Sequence, residues 1–134
     1  MKFIFLLIIA SITSTIYSQN TINNRLTDIY STEYIQSLNQ NRINLLKYEM
    51  KHSYFIIDNF EKNESLPNLY KRNMQTKEII EAPITDTDLN NFNVLNYAYE
   101  KKYNNRTYYK LGNTGKTIVF YSIKEFTKNY NLTK

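Results

Sequence analysis

The sequence predicts an α+β fold: a small antiparallel sheet of three or four strands packed with an N-terminal helix and a short C-terminal helix. The main observation is residues 106–122, RTYYKLGNTGKTIVFYS, where a short glycine-containing loop joins two runs of β-forming residues and indicates a hairpin. A helical repeat of apolar residues in 40–51 and a capping pattern that begins at Ser122 indicate the two helices.

Gly112 and Gly115, the two glycines of the chain, lie in the loop of this hairpin. The Gly-Lys-Thr triplet that begins at Gly115 matches the end of a phosphate-binding P-loop, but a P-loop has four residues between its first glycine and this triplet. Only two residues intervene here, and Lys110 occupies the position of the required glycine. A P-loop also begins a helix, whereas residues 117–121 are typical of a strand. The sequence therefore favours a tight turn, in which glycine supplies positive φ angles, over a nucleotide site.

Residues 1–18 have the pattern of a secretory signal peptide. Lys2 is followed by an unbroken apolar run in 3–10 and then by a mostly small and polar stretch. The apolar run is far shorter than the ~20 residues needed to span a membrane. We therefore expect an exported protein, periplasmic or secreted, with no stable membrane span after removal of the signal. Residues 19–134 are then predicted to form a single small α+β domain.

The composition excludes several kinds of site. The chain has no cysteine, so disulfides, thiol catalysis and thiolate metal sites are excluded. The formal net charge of +5, or +4 once Lys2 is subtracted, is mild and scattered along the sequence. Scattered charge favours a solvated surface over a nucleic-acid-binding stripe. No motif indicates a cofactor, and we expect none.

Helical periodicity extends over residues 27–51, but the polar stretch at 39–42 leaves two alternatives. Either one long helix bends there, or a first helix ends and Asn39 caps a second. The apolar stripe in 40–51 is spaced to pack on a sheet. Residues 52–58, which are aromatic and β-branched, are then predicted to form a strand.

Residues 59–93 are predicted to be a long irregular loop. Pro67 and Pro83 disfavour regular structure around them. A short strand at 76–81 and a brief helical turn at 86–91 are the elements that the sequence favours inside this loop. Because such a long irregular connection is unusual in a compact domain, a further element is a possibility that the pattern leaves open.

The predicted sheet is completed by a C-terminal meander. Residues 94–101 form its first strand, and the hairpin supplies the other two strands. Residues 117–121 are apolar on both faces, which indicates a central position in the sheet. The capping box that begins at Ser122, with a glutamate three residues later, starts the C-terminal helix. The inward contacts of this helix are predicted to be Phe126 and Tyr130.

Candidate residues for chemistry are few. His52 is the one histidine of the chain, and no serine lies in a Gly-x-Ser-x-Gly elbow, so we expect no enzymatic activity. Asp86 and Asp88 resemble the start of a calcium loop. However, Asn91 replaces the glycine at position six, and Tyr97 stands where the final glutamate is required. These acids are more simply explained as the N-cap and first turn of a short helix.

Tyrosine is the most unusual feature of the composition, with 13 Tyr, 7 Phe and no Trp. A tyrosine-bearing sheet face would suit a protein partner or a glycan, because the side chain combines an apolar ring with a polar tip. Alternatively, the rings pack the sheet against helices and only the hydroxyls reach the rim. The candidate binding residues on the predicted strands are Tyr97, Tyr99, Tyr108, Tyr109 and Lys110.

Three stretches resemble small exported proteins of uncharacterised role from Bacteroidota such as flavobacteria: NFNVL at 91–95, RTYYKLGNTGK at 106–116 and VFYS at 119–122. The end of the predicted signal, before Gln19, is similar to theirs. The resemblance covers residues 39–131 and implies a location in the cell envelope. It implies no activity and assigns no site residues.

The sequence thus favours an exported, non-enzymatic accessory protein that acts through protein–protein interaction in the cell envelope. The alternative is a module that binds a glycan or a polyanion through the tyrosine-rich sheet face and nearby Lys and Arg side chains. A small hydrolase is a third hypothesis, and it would depend on His52 as general base.

Overall fold

The computed structural model describes residues 26–134, so the predicted signal peptide lies outside the described residues. The described part contains four α-helices and two antiparallel sheets of three strands each, which confirms the mixed α+β class. The described residues divide into two units, with the boundary between Asn39 and Gln40.

The first unit contains helix α1 (Thr32–Ser37). Ser31 caps its N-terminus, because its side-chain oxygen accepts a hydrogen bond from the backbone N–H of Tyr34 at 3.2 Å. Leu38 follows the helix in an extended conformation, with φ −82° and ψ 142°. The helical region is therefore two helices rather than one long bent helix.

The second unit begins with helix α2 (Gln40–His52) and continues into strand β1 (Tyr54–Asp58). Leu46 and Met50, one turn apart, are buried, which confirms the predicted apolar stripe. The lysine and histidine in the last turn of α2 face the negative end of the helix dipole.

Sheet A consists of β1, β5 (Thr107–Lys110) and β6 (Lys116–Phe120), in the order β1-β6-β5. The central position predicted for the strand after the glycines is confirmed. Ile118 pairs with Ile56 on one side and with Tyr109 on the other. Four of the five side chains of β6 are buried because strands cover both of its edges and apolar groups cover both faces.

The hairpin between β5 and β6 turns through both glycines, as the sequence predicts. Gly112 has φ +54° and Gly115 has φ +74°, a region that side chains with a Cβ rarely adopt. The backbone N–H of Leu111 donates to the carbonyl of Lys116 at 2.9 Å and closes the turn. Thr114 Oγ1 donates to the Leu111 carbonyl at 2.7 Å and supports the loop from within.

Sheet B corrects the prediction that residues 59–93 are an irregular loop. Strands β2 (Tyr70–Arg72), β3 (Ile79–Ile80) and β4 (Tyr97–Ala98) form this sheet in the order β3-β2-β4. The short strand predicted at 76–81 is present as β3. Its partner β2 was missed because a three-residue strand, YKR, gives almost no periodic signal.

The predicted meander does not form. Residues 94–101 begin as a 3-10 helix (Val94–Asn96), because the Asn93 side-chain oxygen accepts a hydrogen bond from the Leu95 amide at 3.2 Å and stabilises a turn. Only the two residues of β4 remain extended, and they pair with β2 rather than with β5. The third strand of the hairpin sheet is instead β1, from far earlier in the chain.

Two short helices complete the unit. Helix α3 (Asp86–Asn90) confirms the helical turn predicted after the second proline. Helix α4 (Ile123–Asn131) begins with the predicted capping box, in which Ser122 Oγ accepts from the Glu125 amide at 3.2 Å. The backbone N–H groups of the first two helix residues, Ile123 and Lys124, donate to the carbonyls of Lys102 and Tyr103. These bonds tie the start of the helix to the chain before β5.

The core of the second unit joins both sheets. Its buried residues come from β4, β6, the hairpin and the segments around β2 and α3. The N–H and C=O of Lys110 in β5 bond the Pro67 carbonyl and the Leu69 amide, which connects the edge of sheet A to the chain that enters sheet B. The fully buried members of the core cluster are Leu69, Val94, Leu111, Ile118 and Phe120.

Candidate functional site

Strand alternation separates the candidate tyrosines onto two faces of sheet A. Successive side chains in a strand point to opposite faces. Tyr109 lies on the face that carries Ile118 and Phe120, which belong to the core. Tyr108 and Lys110 lie on the opposite face. The structure therefore does not bring the five predicted residues together on one surface.

Three of the predicted binding residues pack in or against the core. Tyr99 stacks on Phe120 with ring centroids 3.9 Å apart, and Tyr109 meets the same ring edge-on at 5.9 Å. Tyr99 Oη donates to Glu49 Oε1 at 2.8 Å, and Tyr109 Oη accepts from the Glu100 amide at 2.9 Å. These rings follow the alternative interpretation, in which hydroxyls reach the rim while the rings pack inside.

Tyr97 is the clearest correction to the predicted binding surface. Its side chain is 5% exposed and stacks on Phe92 with a centroid distance of 4.7 Å. Burial raises the pKa of the Tyr97 hydroxyl to about 12, and the negative charge of Asp88 adds to the effect. Its prediction as a surface contact is wrong because a two-residue strand at the core edge turns this ring inward.

The opposite face of sheet A carries a different aromatic group, which we call the aromatic face. Phe60 stacks on Tyr108 with ring centroids 5.8 Å apart, and Phe55 lies 5.3 Å from Tyr121. Tyr108 is 37% exposed, and the other three rings are half-buried. The members of the aromatic face are Phe55, Phe60, Arg106, Tyr108 and Tyr121.

Arg106 is the charged member of the aromatic face. Its guanidinium carbon lies 5.5 Å from the Phe55 ring centroid and 5.2 Å from that of Tyr121. Its Nη2 donates to Glu125 Oε1 at 2.6 Å, and its Nε donates to the same oxygen at 3.0 Å. The cation is thus held against two rings by helix α4, in a fixed orientation on the sheet surface.

The position of Phe60 is fixed by the 3-10 helix Asn63–Ser65. The Asn63 amide donates to the carbonyl of Phe60 at 2.9 Å. Its buried side-chain nitrogen donates to Thr117 Oγ1 at 2.8 Å and to the Lys116 carbonyl at 3.0 Å. One asparagine therefore ties the loop after β1 to the central strand and places Phe60 over Tyr108.

The ion pair at the aromatic face gives a pH prediction. The hydrogen bond from Arg106, helped by those from Ser122, outweighs the effect of desolvation and lowers the pKa of Glu125 to about 2. Because the pKa is lower in the folded state, the contribution is complete above pH 4.5, the ordinary value, and is lost as the pH falls towards 2. Solvent screening of this exposed pair keeps the loss small.

Denaturant unfolding between pH 5 and pH 2 measures this contribution. We expect Glu125→Gln, which keeps a capping group for Ser122, to flatten the pH dependence without abolishing it. Asp88 also contributes to this pH dependence, since hydrogen bonds from Lys71 and Thr85 lower its pKa to about 2 as well. A variant with the same slope as the wild-type chain would show that the ion pair does not stabilise the fold.

A second feature is a groove between α2 and α4, with a volume of about 480 Å³. At its base the Tyr48 ring lies 4.6 Å from His52 and 5.0 Å from Tyr130. Phe126 contacts Tyr48 from α4 at 5.5 Å, so both predicted inward contacts of that helix meet this ring. The residues that line the groove are Asn44, Lys47, Tyr48, Lys51, His52, Tyr130, Thr133 and Lys134.

The hydrolase hypothesis required His52 to lie beside a nucleophile and an acid. His52 is the last residue of α2, is exposed, and packs against the Tyr48 ring. The neighbouring Ser53 is 2% exposed, and its hydroxyl has no hydrogen-bond partner within the described residues. The described contacts therefore assemble no Ser-His-Asp set around this histidine.

The two acids of the calcium-loop pattern, Asp86 and Asp88, lie in the first turn of α3. Thr85 is the N-cap, and Asp88 completes a capping box by accepting from the Thr85 amide at 2.9 Å. Asp88 also accepts from Lys71 Nζ at 2.5 Å. Asp86 lies in the first turn beside it, as predicted, but the N-cap is Thr85 and not one of the acids. Within residues 26–134 there is no group of three or more His, Cys, Asp or Glu residues that could hold a metal ion.

The Gly-Lys-Thr triplet lies at the start of a strand, as predicted. Lys116 is the first residue of β6, and its Nζ donates to Asp58 Oδ1 on the neighbouring strand at 2.5 Å. Thr117 is fully buried and bonded to Asn63. A phosphate would find neither a helix N-terminus nor a free lysine here.

No helix within the described residues has both the length and the apolar character needed to cross a membrane. Comparison with protein-family models, curated proteins and solved structures gives no match to this chain.

Proposed function

We propose that this chain is an exported, non-enzymatic accessory protein whose partner protein docks on the aromatic face. The observation that carries the proposal is the position of Tyr108, which is 37% exposed and stacks on Phe60, on the sheet face that also carries the Arg106 guanidinium. Export is supported by the signal-like pattern of residues 1–18.

The composition of the aromatic face matches that of protein-interaction hot spots. Tyrosine and arginine are enriched at such sites, because they bury a large apolar surface and still offer hydrogen bonds. Here the bidentate bond to Glu125 and the loop fixed by Asn63 hold Arg106 and Phe60 in place before binding. A pre-ordered surface loses less side-chain entropy when a partner binds.

The fold explains why these apolar groups remain at the surface. Val119, which lies under them on the central strand, is already fully buried. The outer rings are therefore not needed to close the core, whose cluster lies on the other face of the sheet. Half-buried rings around one exposed tyrosine are typical of an interaction surface on a small protein.

The test is site-specific photocrosslinking in the cells of origin. A benzophenone amino acid replaces Tyr108 in one variant and Tyr103 in the control variant. Tyr103 is 66% exposed and lies in the turn before β5, and among the described residues its ring contacts no ring of the aromatic face. We expect a discrete protein adduct at position 108 and none at position 103.

Competition then connects the adduct to the surface. Excess wild-type chain is expected to suppress the adduct, while the Tyr108→Ser chain is expected to compete about thirtyfold less well, since truncation of an interface tyrosine costs about 2 kcal/mol. Equal adducts at both positions, or equal competition by both chains, would reject the aromatic face as the docking surface.

A further inference from the structure

We propose that the groove between α2 and α4 binds an acidic oligosaccharide, meaning a short glycan that carries carboxylate or sulfate groups. This site is separate from the aromatic face, and the inference does not rest on the protein partner.

The charged side chains that line the groove all have one sign. Lys47 and Lys51 lie one turn apart on α2, and Lys134 approaches from beyond the end of α4. No acidic side chain is among the lining residues that the structure describes. The groove therefore presents three positive charges to one volume of about 480 Å³.

Within the described residues, Lys47, Lys51 and Lys134 have no carboxylate within ion-pair distance. Four of the nine other lysines of the second unit do pair with Asp or Glu side chains. An anion in the groove would thus meet cations that are not already neutralised by the fold. The paired lysines are Lys71, Lys101, Lys110 and Lys116.

The base of the groove is aromatic. Tyr48 and Tyr130 are half-buried with ring centroids 5.0 Å apart, and the Lys134 ammonium lies 4.8 Å from the Tyr130 ring. A pyranose ring has an apolar C–H face that packs on such rings, while its hydroxyls bond to amide and hydroxyl groups. Asn44 and Thr133 on the rim supply these polar groups.

Size and charge together favour a short acidic glycan over other anions. The volume lies within the usual range of ligand pockets, roughly 300–1,000 Å³. A bare phosphate would leave the aromatic base uncovered, and a nucleic acid requires a longer cationic stripe than three lysines provide. A neutral glycan would leave the ammonium groups without partners.

Calorimetric titration of the full chain with defined tetrasaccharides tests the proposal. The probes are an oligogalacturonate, which carries only carboxylates, a sulfated heparin fragment, and neutral maltotetraose. We expect one or both acidic probes to bind at one site, with the better probe identifying the anionic group. We expect maltotetraose and inorganic phosphate to bind at least about tenfold more weakly.

Matched charge variants locate the site. Lys47→Gln with Lys51→Gln removes two charges that line the groove. Lys124→Gln with Lys128→Gln removes two exposed charges at the same spacing on α4 that do not line it. We expect the first double variant to weaken acidic-glycan binding at least about tenfold, and the second to change it less than about twofold.

The position of Lys51 in the last turn of α2 also complements the helix dipole, so affinity and not stability is the readout. Equal losses in the two double variants would mean diffuse attraction to a basic protein and would overturn the site. Equal binding of maltotetraose, or no binding of either acidic probe by the wild-type chain, would also overturn it.

Discussion

Replacement of Gly112 by alanine is expected to remove a large share of the stability of the second unit. Gly112 has φ +54°, and a Cβ built on its backbone would lie 2.1 Å from the carbonyl oxygen of Ile84 and 2.8 Å from its nitrogen. Both atoms belong to the backbone, so no side-chain rotation relieves the clash. Ile84 is itself 2% exposed and part of the core cluster, and its displacement would disturb that cluster.

We expect Gly112→Ala to lower the free energy of unfolding by at least about 3 kcal/mol, a large share of the ~5–15 kcal/mol of a typical domain. Gly115→Ala is the matched control in the same turn. Its φ is +74°, and no atom outside its chain neighbours lies within 4 Å of the added Cβ. It should therefore lose only the backbone strain, about 1–2 kcal/mol.

Urea unfolding of both variants, followed by far-ultraviolet circular dichroism, makes the comparison. The difference between the variants isolates the contact with Ile84, because both carry the same change in the unfolded chain. Equal losses of stability in the two variants would mean that the hairpin moves away from Ile84 at little cost.

The two glycines also show which features of the fold can be predicted from the sequence. Their place in a tight turn was predictable, because a Gly-rich loop between two β-forming runs has a local signature. The approach of Gly112 to Ile84 was not, because it joins segments almost thirty positions apart. The capping box at Ser122 is also a local signal, because it is contained within four residues, and it forms as predicted.

The candidate site was harder to predict than the turn. Tyr108 was selected correctly as a surface residue, but its ring partner Phe60 comes from the loop after β1. That loop reaches Tyr108 only because β1 pairs with β6, and neither strand pattern specifies this distant partner. Tyr97 was misplaced for a related reason: alternation gives two faces but does not tell which of them a second sheet covers.

Sheet B shows a second reason why strands are hard to predict from the sequence. Ile79 and Ile80 gave a strand signal, and β3 forms there, although the two side chains remain 55% and 46% exposed. The strand signal thus came from β-branched residues that are not buried. β2 carries two basic side chains and is held by pairing on both edges, which leaves no apolar pattern to detect.

Phe120→Ala is expected to have the other large effect on stability. Phe120 is fully buried at the end of the central strand. It stacks on Tyr99 at 3.9 Å, and it also contacts the rings of Tyr109 and Tyr54, with centroids 5.9 and 6.2 Å away. Removal of the ring would leave a cavity lined by three aromatic side chains whose own positions are fixed by hydrogen bonds and strand pairing.

We expect Phe120→Ala to lower the free energy of unfolding by about 3–5 kcal/mol, the usual loss for a buried phenylalanine. Phe55→Ala removes the same atoms from the opposite face of sheet A, where the ring is only half-buried, and should cost about 1–2 kcal/mol. If the core lies on the Phe120 face, the first loss must exceed the second in the same urea titration. Equal losses would mean that the two faces of the sheet contribute alike, and the outer rings would then be a second core rather than a surface kept open for a partner.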